Sequence, residues 1–179
     1  CWTVDPIDGT SNFAKSKERF AVMIALTKKT EIIQSYIYKP LTQDYMYADS
    51  SGTYLNNKKI NLNKNIKIEN ATGSISTKYW EETIKNKIIS IKNKFQNVNS
   101  YGSIGCEYFD IALGFRDFAI LSKLYPWDHL PGVFIVRQAG GHDCHFDKKE
   151  YSFYDHSKNL IVSNSKNLNY DILKLIDGG

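Results

Sequence analysis

Asp5 and Asp8 are separated by Pro6 and Ile7 and followed at once by Gly9 and Thr10, so two carboxylates, a glycine turn and a hydroxyl come directly after a short apolar run. Carboxylate oxygens are the ligands that hard divalent cations select, and magnesium is commonly held by one or two of them together with phosphate oxygens and water. Pro6 fixes its own φ and has no amide proton, which predicts that the strand stops there and that the carboxylates on either side splay toward one point. The amides of Gly9 and Thr10 then open a helical turn, where unpaired N–H groups and the helix dipole favour a phosphate oxygen. This combination points to magnesium-assisted phosphate chemistry. The same six residues also make a good turn in their own right, since Pro and Gly suit turn positions and Asp side chains accept local backbone bonds. A third carboxylate weighs between the two readings. Asp128, after Trp127, opens an apolar helical pattern that closes at Gly140 and Gly141, although an aspartate there also serves as a plain N-cap.

The segment from Asp5 to Thr10, read with Trp127-Asp128 and Gly140-Gly141, resembles the inositol monophosphatase family of magnesium-dependent, lithium-sensitive phosphatases, whose signatures are DPxDGT and, much later, WD followed by GG. The resemblance covers nearly the whole chain and implies the layered αβαβα sandwich of the sugar phosphatases, an α/β fold of layered α+β type. Residues 1–179 are then a single domain, the C-terminal two-thirds of the full family domain without its N-terminal helices and its glutamate-bearing motif. An N-terminally truncated chain, itself of doubtful activity, is therefore expected.

Carried over residue by residue, the resemblance makes Asp5 a bridge between two magnesium ions, of two or three expected in all. The Ile7 main-chain carbonyl joins one ion, and Asp8 with Asp128 completes another. Thr10 helps to hold the attacking water, the Gly9 and Thr10 amides hold the phosphate, and Ser103 and Ile104 fall in a segment that lines the substrate pocket, where Ser103 is equally a helix cap. Leu121 stands seven residues before Asp128, where animal members carry an inositol-binding glutamate, so strong inositol specificity is not expected. Lys123 is close enough in sequence to the site to neutralise a second anionic group, or else is an exposed surface lysine. The expected activity is hydrolysis of a small phosphate monoester by a metal-activated water. Histidinol phosphate or fructose bisphosphate are alternative substrates for the same site, and a non-catalytic metal- or phosphate-binding protein is the alternative of another class.

The elements that must position these residues follow from periodicity. Residues 20–26 form an apolar run too short for a helix and read as a buried strand. Residues 32–38 and 45–48 are β-branched and aromatic, are divided by Pro40, and predict an antiparallel meander, with another strand at 53–55 before a turn at Asn56-Asn57. A strand over 71–76 precedes an amphipathic helix over 80–95, marked by Ile84, Ile88, Ile91 and Phe95. Ser103 caps a helix that runs to about Leu113 and stops at Gly114, and 117–121 returns as a strand. Asp128 then opens a helix with Pro131 in its first turn, Phe153 lies in an edge segment, 160–162 is a short strand, and 167–176 is a terminal helix. The alternation predicts a mixed α/β domain with mostly antiparallel pairing.

Composition narrows the function classes. A chain of 179 residues with 42% hydrophobic and 23% charged residues is globular, and no apolar run approaches the ~18 residues of a membrane span. Cys1, Cys106 and Cys144 form no paired framework, which suggests a reducing compartment and hence the cytoplasm. The net charge of +4 comes from lysines scattered among Asn and Ile, which favours a solvated surface over a nucleic-acid patch. His142, Asp143, Cys144 and His145 would alternate between the faces of an extended chain, so no zinc site is expected. His129 and His156 lack a nucleophile context, so a Ser-His-Asp hydrolase is not supported. The expected partner is a small phosphorylated metabolite, with no nucleic acid and no membrane, and a homodimer is allowed for.

Overall fold

A run of β-branched and aromatic residues folds into an antiparallel meander in a computed structural model, which describes residues 1–154 and 159–178; His156 lies outside them. The six strands lie in sequence order: β1 (Trp2–Asp8), β2 (Ala21–Lys28), β3 (Glu31–Lys39), β4 (Asp44–Asp49), β5 (Gly52–Leu55) and β6 (Lys58–Ile60), with the short helix α1 (Thr10–Ala14) after β1. Asn56 and Asn57 both take positive φ, 46° and 69°, and close a tight hairpin onto β6, a strand the periodicity did not mark.

The second sheet has the order β10-β11-β9-β7-β8, from β7 (Thr72–Ile75), β8 (Asn97–Val98), β9 (Phe118–Leu121), β10 (His142–Cys144) and β11 (Leu160–Ser163). β7 runs parallel to β8 and β9, whereas β9, β11 and β10 pair antiparallel. Helices α3 (Ile104–Ala112) and α4 (Pro126–Ala139) share one core with Met23, Ile37 and Met46 of the first sheet and Leu160 and Val162 of the second. Helices α2 (Glu82–Ser90) and α5 (Lys166–Asp177) cover the far side of the second sheet through Ile88, Leu168 and Ile172, packed against Phe118 and Ile161. The described layers are therefore sheet, helices, sheet, helices, in the order of an αβαβα sandwich. The outer face of the first sheet carries exposed Trp2 and Val4 and a ladder of stacked rings, with Tyr36 to Tyr47 at 6.1 Å and Tyr47 to Tyr54 at 4.9 Å.

Several boundaries differ from the expectation, each for a local reason. β1 does not stop at Pro6 but runs through it to Asp8. Among the described residues β1 pairs only with β2, and a bulge between Asp5 and Asp8 leaves Pro6 without a partner there, so a residue without an amide proton removes nothing that this ladder needs. The helix expected over 80–95 is only Glu82–Ser90. The Ser90 hydroxyl donates back to the Lys87 carbonyl, and Phe95, beyond the helix, packs its ring 4.3 Å from that of Phe118. Asp128 is not an N-cap: α4 starts at Pro126, with Tyr125 as the cap, and Pro131 is inside the helix rather than in its first turn. The carbonyl that Pro131 leaves unserved belongs to Trp127, which is 43% exposed at the helix start. Phe153 packs on the core without joining a strand.

Where α3 crosses α4, Gly132 lets the fully buried Tyr108 ring lie against the helix backbone: a Cβ at Gly132 would fall 2.0 Å from that ring. Gly132→Ala should therefore destabilise the fold by about 2–3 kcal/mol through overpacking, more than a helix-propensity gain near 1 kcal/mol can offset. Urea denaturation of the two proteins measures the difference.

Candidate active site

Asp5 and Asp8 are three residues apart and in a regular strand would point to opposite faces. The register resolves this: Asp5 pairs with Met23 and Asp8 with Ala21, so three steps along β1 match two along β2. The extra residue of the bulge turns Asp8 to the face that already carries Asp5, the face toward α4. The Ile7 amide, inside the bulge, donates to Asp5 Oδ1 at 3.0 Å and fixes that carboxylate.

Asp8 is then driven into the start of α3. Ser103 Oγ donates to Oδ2, the Gly105 amide donates to the same oxygen at 2.8 Å, and the Ile104 amide donates to Oδ1 at 3.2 Å. Ser103 also caps α3, as the sequence suggested, by accepting from the Cys106 amide at 3.3 Å. Asp8 is only 6% exposed. Burial raises its pKa to about 6 despite the three donors, which pull it down. Asp128, in the first turn of α4, has its pKa raised to about 7 by burial first, then by the charges of Asp8 and Asp5 and a hydrogen bond with Asp5. Ligand oxygens of Asp5, Asp8 and Asp128 all lie within 4.8 Å of one another. Three carboxylates this close, two of them with raised pKa, are a donor set that fits a hard divalent cation.

Beside the cluster, Gly9 has φ 81°, a left-handed turn that ends β1 and starts α1. The Thr10 amide, first in that helix, has no intrahelical acceptor. A cavity of about 340 Å³ abuts Asp128 and is also lined by Ser103, Ile104, Leu121 and Lys123. Ser103 and Ile104 therefore reach both the cavity and Asp8, a double role the sequence did not suggest.

Sequence reasoning missed other groups at this cavity. Glu107 is buried and accepts from Ser74 Oγ, from Ser100 Oγ at 3.0 Å and from the Tyr101 amide at 2.9 Å. Tyr79 and Tyr125 flank Lys123, whose ammonium lies 4.3 Å and 4.6 Å from the two ring centroids. Ser74 is 33 residues from Glu107, and Tyr79 lies on another loop from Lys123, so no local pattern announced these pairings. His129 is buried, bonds the Tyr108 hydroxyl through Nδ1 at 2.8 Å, and has its pKa lowered to about 4 by burial, so it is a neutral packing residue. Asp143 is held by the Arg137 guanidinium and the Tyr151 amide, and the His145 ring meets the Asn159 carbonyl. These contacts give the 142–145 segment a structural role.

The layer order and the acidic cluster where β1 meets α4 define a layered α/β sandwich protein with a site suited to a divalent cation. The sequence pattern of the inositol monophosphatase family matches residues 1–178, and the chain belongs to that family. It is 29% identical over 177 residues to the fructose-1,6-bisphosphatase/inositol-1-monophosphatase of Thermotoga maritima, covering 98% of this chain and 67% of that protein. It is 28% identical over 158 residues to the inositol-1-monophosphatase of Bacillus subtilis, covering 86% of this chain and 60% of that protein. The fold matches the crystal structure of an IMPase/NADP phosphatase complexed with Mg2+ and phosphate at a TM-score of 0.85, with 23% identity over 99% of this chain and 67% of that one. The chain thus spans between 60% and 67% of the length of these proteins.

The raised carboxyls fix the sign of a pH effect. Asp8 and Asp128 keep protons in the folded state at pH values where the unfolded chain has lost them, so their contribution to stability is complete below the ordinary value of 3.8 and is lost as pH rises through about 6 and about 7. In chelator the melting temperature should fall between about pH 5 and about pH 8, and magnesium should restore it at the higher pH because the cation binds only the folded cluster. Thermal melts at both pH values, with and without the cation, check this.

Proposed function

We propose that the protein hydrolyses the phosphate monoester of a small metabolite with magnesium as its cofactor. The observation that supports this most directly is the convergence of Asp5, Asp8 and Asp128 within 4.8 Å at the edge of a cavity large enough for such a molecule. Magnesium, when bound, supplies Lewis-acid polarisation of a phosphoryl oxygen and a water of lowered pKa. Asp5, Asp8 and Asp128 would hold it, with the Ile7 carbonyl beside them and two or three ions expected from the family resemblance. The Gly9 and Thr10 amides would receive a phosphoryl oxygen and the Thr10 hydroxyl would orient the attacking water, while Ser103 and Ile104 bound the substrate side of the site. On this reading residues 1–179 work as one domain, in the cytoplasm, where its three free cysteines remain thiols.

The name of the Thermotoga relative, which joins fructose-1,6-bisphosphatase to inositol-1-monophosphatase, supports a choice among inositol, sugar and related phosphate esters rather than inositol phosphate alone. Leu121, on the cavity wall, offers no acceptor for a ring hydroxyl.

Phosphate release from a panel of such esters tests the reading. Chelator should abolish it. Asp128→Asn is a cleaner variant than Asp8→Asn, because an amide at Asp8 would set N–H groups against the donors of Ser103, Ile104 and Gly105 and cost about 1–3 kcal/mol of stability. Asp128→Asn should lower kcat/KM by about a hundredfold or more while the protein stays folded. Magnesium-independent turnover, or parental activity in Asp128→Asn, would place the chemistry elsewhere.

A further inference from the structure

The cavity beside the acidic cluster is rich in serines, yet their hydroxyl protons are already engaged by the protein. Ser74 and Ser100 donate to Glu107, Ser103 donates to Asp8, and Ser122 donates to the Lys78 carbonyl at 2.6 Å. Ser76 meets the Ser122 hydroxyl at 2.9 Å. Such a wall has few donors left to read the hydroxyl pattern of a polyol. Lys123 differs. It is the sole lysine or arginine lining the cavity, and among the described residues it has no carboxylate within ion-pair distance. Its partners are the Tyr79 and Tyr125 rings, which attract an ammonium without neutralising it.

The placement of this cation is built into the backbone. Lys123 and Tyr79 both adopt left-handed conformations, with φ 58° and 67°, which bulky residues rarely hold unless their surroundings impose it. The two loops are pinned together by Ser122 and Ser76, through the Lys78 carbonyl and their own hydroxyls, and Trp80 Nε1 donates to the Ser76 carbonyl at 2.7 Å. Tyr125 in turn stacks on Trp127, with centroids 4.7 Å apart, next to Asp128. The ammonium is thus placed in the cavity by the two rings, near enough to Asp128 for its charge to act against the rise in that carboxyl's pKa, and among the described residues it forms no ion pair.

We infer that Lys123 is a specificity-determining residue that receives a second anionic group, a phosphate or carboxylate, on the organic part of the substrate. This deepens the phosphatase reading and rests on it. An ester with a neutral organic part would offer the ammonium no anionic contact of its own. An ester with a second anionic group would place one phosphoryl group at the acidic cluster and the other group against Lys123, as a charge-assisted contact.

Calorimetric binding in magnesium buffer tests this with matched esters: glycerol 3-phosphate, its carboxylate counterpart 3-phosphoglycerate, and propane-1,3-diol bisphosphate. The two esters with a second anionic group should bind about tenfold or more tightly than glycerol 3-phosphate, the scale of one hydrogen bond to a charged group. Lys123→Asn removes the charge with a residue that tolerates positive φ. It should erase the preference, bringing the other two esters down to the affinity of glycerol 3-phosphate, and Lys123→Arg should keep the preference. A larger gain for the bisphosphate than for the carboxylate, or the reverse, supports the assignment and identifies the anion. Equal binding of all three esters by the parent protein, or equal weakening of all three by Lys123→Asn, overturns the role of Lys123 while leaving a phosphate-ester site. Binding of none of them overturns both readings.

Discussion

One extra residue in β1 governs the rest of the site. Without the bulge at Pro6 and Ile7, Asp5 and Asp8 would stand on opposite faces of the first sheet, one toward α4 and the other toward solvent. Pro6 suits that position because the bulge leaves it without a partner on β2, and Ile7 suits it because its amide secures Asp5. The geometry of the acidic cluster therefore depends on a local backbone irregularity, and the two sheets and the helices between them hold that irregularity against Asp128.

A competition between burial and hydrogen bonding sets the electrostatic character of the cluster. Asp8 has a serine hydroxyl, two amides and the positive end of α3 in its favour, a set that in a solvated place would keep a carboxylate ionised to low pH. Burial prevails, and the charge of Asp5 close by adds to it. The cluster is thus poised to exchange protons for a divalent cation. Its donors orient Asp8 without satisfying its charge.

Much of this was legible in the sequence where the signal is local. The aspartates, the Gly9 turn, the Ser103 cap and the Gly140 stop are each written in a few adjacent residues, and the meander follows from its alternation. What could not be read depends on partners far along the chain. Pro6 is compatible with either a strand end or a bulge, and only the register of β1 on β2 decides between them. Ser103 announces a helix start, but its second bond, to Asp8, spans 95 residues. Lys123 looked most like a surface lysine because Tyr79, which faces it, lies on another loop. The short strands β6, β8 and β10, of two or three residues each, carry too little pattern to stand out.

The location of two carboxylates on β1 bears on how the molecule opens. Among the described residues β1 pairs with one strand, β2, and a strand held by a single ladder opens readily, because the loss is local. Asp8 ties β1 also to α3, and Asp5 brings it against Asp128 of α4, so its residues cannot peel away from β2 without dismantling the cluster. A cation held by the three carboxylates would couple its own release to that opening. Amide exchange along residues 2–8 should then slow as divalent cation is added, and such an ion would act as a latch on the strand.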